Sequence, residues 1–153
     1  MTDPIIKTVT VNCAPEKAFD VFVNRTSGWW PLDRHAVSAG AGKVALAVTI
    51  EPQVEGAVYE TMHDGSRTDW GQVVEFEPGR KLAMTWHPGE NAEVSTRVEV
   101  AFAATGDGQT EVTLTHSGWE VLGTDADDRR NSYNGGWETV FIARYAGACN
   151  ESP

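Results

Sequence analysis

The sequence predicts an α+β fold: a curved antiparallel sheet of six to seven strands wrapped around one long C-terminal helix, with two short helices after the first strand. Three observations predict it. Residues 44–118 alternate apolar and polar positions with turn signals between the runs, a strand pattern with no helical stretch inside it. Residues 125–147 instead place Tyr133, Gly136, Trp137, Val140, Phe141 and Tyr145 on one face at about 100° per residue. Finally, a single helix about 10–12 Å across with its side chains cannot cover a flat sheet of seven strands, so the sheet must curl around it.

In chain order, Ile5, Val9 and Val11 alternate with Thr8, Thr10 and Asn12 as a first strand. Pro15 suits the first turn of a helix over Pro15–Val23, which buries Ala18, Phe19, Phe22 and Val23. Thr26 or Ser27 can cap a second short helix that Pro31 limits. Trp29 and Trp30 are adjacent, and two such neighbours are not expected to enter one core, so one should cover an edge or a pocket mouth. Ser38–Lys43 is a loop; it has the wrong spacing for a phosphate-binding loop, and Val44 stands where Ser or Thr should follow the lysine. Strands then follow on Val44–Ile50, Ala57–Met62, Trp70–Phe76, Leu82–Trp86, Val98–Phe102 and Val112–His116. His63-Asp64-Gly65-Ser66 and Gly106-Asp107-Gly108-Gln109 read as hairpin turns. In the last helix, Asp125, Asp127 and Asp128 sit at the N-terminus and Arg144 near the C-terminal end, matching the helix dipole.

Composition bounds the function. One domain over 1–153 is expected, with 41 % hydrophobic and 22 % charged residues. A net charge of −10 with twelve scattered Lys and Arg disfavours nucleic acid and anionic membrane surfaces as partners. No 18-residue apolar run and no leader is apparent, so neither a membrane span nor a signal peptide is expected, and a cytoplasmic location fits. Cys13 and Cys149 read as small apolar thiols in a reducing compartment. His35, His63, His87 and His116 fall in separate elements without metal-ligand spacing, so no metal and no cofactor is expected.

A sheet curled around one helix leaves a space that side chains fill imperfectly, and this gap is the expected ligand site. Trp30, Trp70, Met84, Trp86, Tyr133, Trp137 and Phe141 are the candidate lining residues. Gly135 and Gly136, each costing about 1 kcal/mol inside a helix relative to Ala, point to close approach, a bend or room for a ligand. Two polar candidates share inward faces. His116, on the face of Val112 and Leu114, can orient a ligand hydroxyl or act as a base; the structural alternative is a histidine satisfied by backbone at a strand end. Glu60 needs a partner if buried; Arg144, placed on the helix's apolar face, is one candidate, the alternative being that it snorkels out from the last turn.

The order of elements resembles the helix-grip fold of the START and birch-pollen-allergen-like (SRPBCC) superfamily. Ala14-Pro15-Glu16-Lys17-Ala18-Phe19, Trp29-Trp30-Pro31-Leu32, Ile50-Glu51-Pro52, Gly56-Ala57-Val58-Tyr59-Glu60, Gly71-Gln72-Val73, Leu82-Ala83-Met84-Thr85-Trp86, Val112-Thr113-Leu114-Thr115-His116-Ser117-Gly118-Trp119 and Gly135-Gly136-Trp137 are similar to the branch related to the C-terminal domain of the activator of the 90-kDa heat-shock protein ATPase. The resemblance implies a pocket for a small apolar or aromatic ligand; members include lipid carriers, hormone receptors, polyketide cyclases and aromatases. It also brings two other expectations: a cyclase, dehydratase or hydrolase using His116 and Glu60, and an adaptor that binds a chaperone or other protein through Trp29, Trp30 and an open sheet edge. A homodimer is compatible with each. The eukaryotic activator has a separate N-terminal domain, for which 153 residues leave no room.

Overall fold

The computed structural model describes residues 2–151. β1 (Ile5–Val11) is followed by α1 (Pro15–Asn24) and α2 (Thr26–Trp29), then by a 3₁₀ turn at Val37–Ala41. Six strands come next: β2 (Ala47–Ile50), β3 (Ala57–Thr61), β4 (Arg67–Glu77), β5 (Lys81–Trp86), β6 (Thr96–Ala104) and β7 (Thr110–Ser117). The chain closes on a continuous helical rod made of α3 (Ala126–Trp137), a π-helical segment (Glu138–Tyr145) and α4 (Ala146–Glu151).

The strands form one antiparallel sheet in the order β1-β7-β6-β5-β4-β3-β2. β2 to β7 are the expected meander, and β1 adds to its far edge through pairs running from Ile5↔His116 to Val11↔Thr110. The sheet curls around the C-terminal rod. Register slips between Val58 and Tyr59, and between Val73 and Glu75, bend the strands where curvature is needed. Gly71 serves the same bend: a Cβ there would lie 1.8 Å from the Thr85 carbonyl oxygen, so no larger residue fits against β5.

The rod departs from a plain α-helix for a packing reason. Trp137, Phe141, Tyr145 and Cys149 are all buried and recur every four residues. On an ideal α-helix that spacing drifts by about 40° per step, or about 120° over the three steps. The wider i→i+5 turns of the π segment take up the drift and keep all four on the sheet side. They also turn Arg144 away. At ideal helical spacing it belongs to the apolar face; in the structure it is exposed.

Both adjacent tryptophans are buried, contrary to expectation, at 4 % and 7 % exposure. Trp30 precedes Pro31, which disfavours helical geometry, and its backbone is extended (φ −66°, ψ 132°). The chain leaves α2 between the two indoles and sends them to different neighbours. Trp29 packs with Phe22 and Tyr145, each at a ring distance of 5.2 Å, and donates to the Val21 carbonyl. Trp30 joins Trp70, Trp86 and Trp137. The Phe22 end is closed: Phe141 stacks on Tyr145 at 5.5 Å, and the Tyr145 hydroxyl donates to the Ala18 carbonyl at 2.7 Å. The other end, around Trp30, stays open.

Candidate functional site

A cleft of about 390 Å³ opens between the loop before β2, the Pro88-Gly89 turn and the Tyr133–Val140 face of the rod. Trp30, Trp70 and Trp137 line it, with Trp30 5.2 Å from Trp70 and 6.0 Å from Trp137 by ring centroid. Each of these rings is pinned through its indole N–H. Trp30 donates to the His35 carbonyl at 2.7 Å, Trp70 to Glu60 Oε1 at 3.2 Å, and Trp137 to His116 Nδ1 at 3.0 Å. The aromatic wall is therefore held in place by the protein itself, which removes the ordering cost a ligand would otherwise meet.

Glu60 supports this wall from β3. Its carboxylate is fully buried and accepts four hydrogen bonds. Val37 N–H and Trp70 Nε1–H donate to Oε1 at 2.6 and 3.2 Å, while Ser38 N–H and its hydroxyl donate to Oε2 at 2.9 and 2.7 Å. Four donors satisfy a carboxylate's lone pairs and offset the cost of burying its charge. Of the two places open to Arg144 the structure takes the exposed one, and the Glu60–Arg144 pair is not formed. The π turns carry Arg144 to the surface, and the loop at Val37-Ser38 supplies the partners instead. Glu60 thus fixes the loop whose Ala36, Val37 and Gly40 form one lip of the cleft.

His116 has the same character at the other end. It is fully buried, and burial lowers its pKa to about 3, so the ring is neutral at physiological pH. Trp137 Nε1 can only donate, so Nδ1 must be the unprotonated acceptor and Nε2 carries the proton. Nε2 then donates to Thr96 Oγ1 at 2.7 Å, and that hydroxyl donates to the Trp86 carbonyl at 3.1 Å. Every proton in the chain is assigned. His116 is satisfied by side chains rather than by backbone, and its own carbonyl accepts from Trp119 Nε1 at 3.0 Å. Trp119 and Tyr133 close over the ring at 4.2 and 4.9 Å.

The histidine that does line the cleft is His35. Its backbone is clamped, with the N–H on the Pro31 carbonyl at 2.9 Å and the carbonyl on Trp30. Its ring rests over Gly136, where an added Cβ would lie 3.5 Å from Cε1. The ring makes no hydrogen bond to the described residues. Partial burial lowers its pKa; Arg34 and Arg144 add to that, and Asp33 opposes them. Tyr133 and Gly136 also bound a neighbouring groove with His35, Arg129, Ser132 and Gly135. In that groove Arg129 pairs with Glu90, and burial raises the Tyr133 pKa. Among the described residues no cluster of three or more His, Cys, Asp or Glu could hold a metal ion, and no helix is long and apolar enough to cross a membrane.

A model of the activator of Hsp90 ATPase homolog 1-like protein family matches residues 12–144. The chain belongs to this family. Among solved structures, it is similar to an anthrahydroquino-γ-pyrone synthase solved as a ligand complex, at 30 % identity over 94 % of this chain and 95 % of that one (TM-score 0.65). It shares its fold with a self-sacrificing resistance protein from Micromonospora echinospora (22 % identity, 98 % and 96 % covered, TM-score 0.69). An Aha1 dimer from Colwellia psychrerythraea has the same fold (17 % identity, 97 % and 96 % covered, TM-score 0.68). No curated protein matches the sequence.

Within this member of the activator-homolog family, the structure brings Trp30, Trp70, Tyr133 and Trp137 together around the cleft. Trp86 lies behind them, 5.6 Å from Trp70 and 5.7 Å from Trp137, with a buried N–H that makes no hydrogen bond to the described residues. Met84, Phe141, Glu60 and His116 are fully buried and do not line it. Trp29 and Trp30 offer no exposed tryptophan patch of the kind the adaptor reading requires. Arg34, His35, Pro88 and Gly89 line the cleft too, and the sequence pattern does not reveal them as site residues because they sit on loops, where periodicity carries no signal. Gly136 does make room in the rod, but for the ring of His35; nothing lies within 4 Å of a Cβ on Gly135.

Proposed function

We propose that the protein binds a flat, fused-ring aromatic molecule in the cleft walled by Trp30, Trp70, Tyr133 and Trp137. The observation that carries this reading is the pinned aromatic wall. Three indoles packed ring to ring, with their N–H groups already satisfied, make the wall apolar and aromatic, the kind of surface another aromatic ring packs against. A volume of about 390 Å³ falls within the usual range for small-molecule sites. The relative at 30 % identity, an anthrahydroquino-γ-pyrone synthase, supports a fused-ring ligand.

That relative also favours a second reading, turnover of the same class of ligand by a cyclase-, dehydratase- or hydrolase-type reaction. Glu60 and His116 are poor candidates to carry it, because every lone pair and proton they own is engaged in the core. A proton transfer would fall to His35.

The reading is tested by native mass spectrometry of protein purified from its own host, paired with tryptophan quenching by 1-pyrenemethanol. An aromatic adduct, or saturable quenching that Gly136→Leu abolishes by filling the cleft, is the expected result. Absence of both adduct and quenching overturns it.

A further inference from the structure

We infer that the ligand of this cleft is an acidic aromatic, a fused-ring carboxylic acid, and that its anionic oxygen is received at the Arg34-His35 end. This rests on the aromatic-binding reading above and adds the polar handle that reading lacks.

Charge distribution is the first ground. The chain carries 22 acidic against 12 basic residues, yet no carboxylate lines the cleft or the groove beside it. The ionised side chains there are Arg34 and Arg129. Arg144 stands close enough to add its field at His35. The acids nearby are Asp33, Glu90 and, behind the lip, Glu60, whose buried carboxylate is engaged by four donors of the fold. Glu90 is committed to Arg129. Asp33 meets Arg34 only at 3.9 Å, with both side chains more than half exposed, so the Arg34 guanidinium is free to turn to a better partner. With Glu90 and Glu60 spent on partners of their own, the charged side chains that line this end are basic in a strongly negative protein. Scattered surface charge in a chain of this composition would give the opposite sign.

The second ground is hydrogen bonding. Among the described residues, His35 makes no ring hydrogen bond and Arg144 makes neither hydrogen bond nor ion pair, while the tryptophan N–H groups of the wall are spent. Arg144 lines neither cleft nor groove, but Arg34 and His35 do line the cleft, and they put its polar side chains together at one end of an apolar slot. A fused-ring ligand lying against Trp30, Trp70 and Trp137 with an oxygen at its edge meets aromatic surface along its length and donors at its tip. The geometry also gives His35 a fixed place: its backbone is clamped at both N–H and carbonyl, and Gly136 leaves the ring the space it occupies.

The test compares 1-pyrenecarboxylate with 1-pyrenemethanol by tryptophan-fluorescence titration at pH 7.5 and low ionic strength. The two probes share a ring system and differ in the charged oxygen. The expected result is carboxylate binding at least tenfold tighter, with that preference falling below threefold in Arg34→Gln and, for the folded wild type, in 0.5 M NaCl. Equal affinities, or a preference that neither Arg34→Gln nor salt reduces, overturn the inference while leaving the aromatic reading standing. If neither probe binds, the aromatic reading fails and this inference with it. Arg34 is exposed, so its replacement leaves the fold intact; the salt titration needs no variant at all.

Discussion

Replacing Glu60 by Gln separates a structural carboxylate from a catalytic one, and the structure fixes how large the effect should be. The amide can point its NH₂ in either of two ways. Facing Val37 N–H and Trp70 Nε1–H, it would leave two buried donors without an acceptor. Facing Ser38 is cheaper, because the Ser38 hydroxyl can turn and accept from the amide, leaving only the Ser38 backbone N–H stranded. One buried unsatisfied donor costs about 1–3 kcal/mol, and the remaining bonds lose the extra strength of an ionised acceptor. Removing a buried charge returns part of this. The expected destabilisation is about 2–4 kcal/mol, read as a lower urea midpoint at unchanged m-value by tryptophan fluorescence. Because the loosened segment is the lip of the cleft, affinity for 1-pyrenemethanol should fall in the same variant. Ser38→Ala should cost less, about 1 kcal/mol, and the double variant should fall short of the sum, since both act on the same network. A Glu60→Gln protein as stable as wild type, with unaltered binding, would refute the reasoning.

Other outcomes follow from single observations. His116 stays neutral in the fold to about pH 3 but titrates near 6.5 when unfolded, so the unfolded state binds the extra proton between those values. Its share of stability is present above pH 6.5 and is lost as pH falls, by about 2 kcal/mol between pH 7 and pH 5; an NMR titration should find one imidazole that does not shift in that range. Gly135→Ala should raise stability by about 0.5–1 kcal/mol in thermal unfolding, because the added methyl meets nothing within 4 Å. Gly71→Ala should cost at least about 3 kcal/mol, since the new Cβ would fall on the Thr85 carbonyl; a urea midpoint near wild type would show that β4 can shift there. Both thiols are buried, and burial pushes Cys149 up to about 12, so at pH 8 the native protein should react with a disulfide reagent at least about a hundredfold more slowly than the denatured chain.

The fold was legible because its signals are local and repeated. Period-two runs from Ile5 to His116 identified the strands, Asp-Gly turns their connections, and the inability of one helix to cover a wide sheet its curvature. The interruption of the final helix was not legible. Trp137, Phe141, Tyr145 and Cys149 fall every fourth residue, a period that an α-helical template reads as a broad face. Only the sheet's demand that all four stay buried selects the wider turns. The Trp29-Trp30 pair failed for a related reason: the rule against two neighbours sharing a core assumes one regular element, and Pro31 ends that element between them.

The site divides along the same line. Glu60 and His116 do lie on inward faces of their strands, but a face that points inward says nothing about whether the side chain meets a ligand or another core residue. Glu60 and His116 drew attention because they are polar where apolar residues are expected, and that is the condition under which a fold must supply partners of its own. It supplied them from Ser38, Trp70, Thr96 and Trp137, so the two polar inward residues became the struts of the cleft. His35 drew no attention because it sits in a loop beside Arg34, where a polar residue is ordinary. Yet it is the histidine whose ring nitrogens the fold leaves open. In this chain the unusual polar residue supports the wall of the cleft, and the ordinary one lines it.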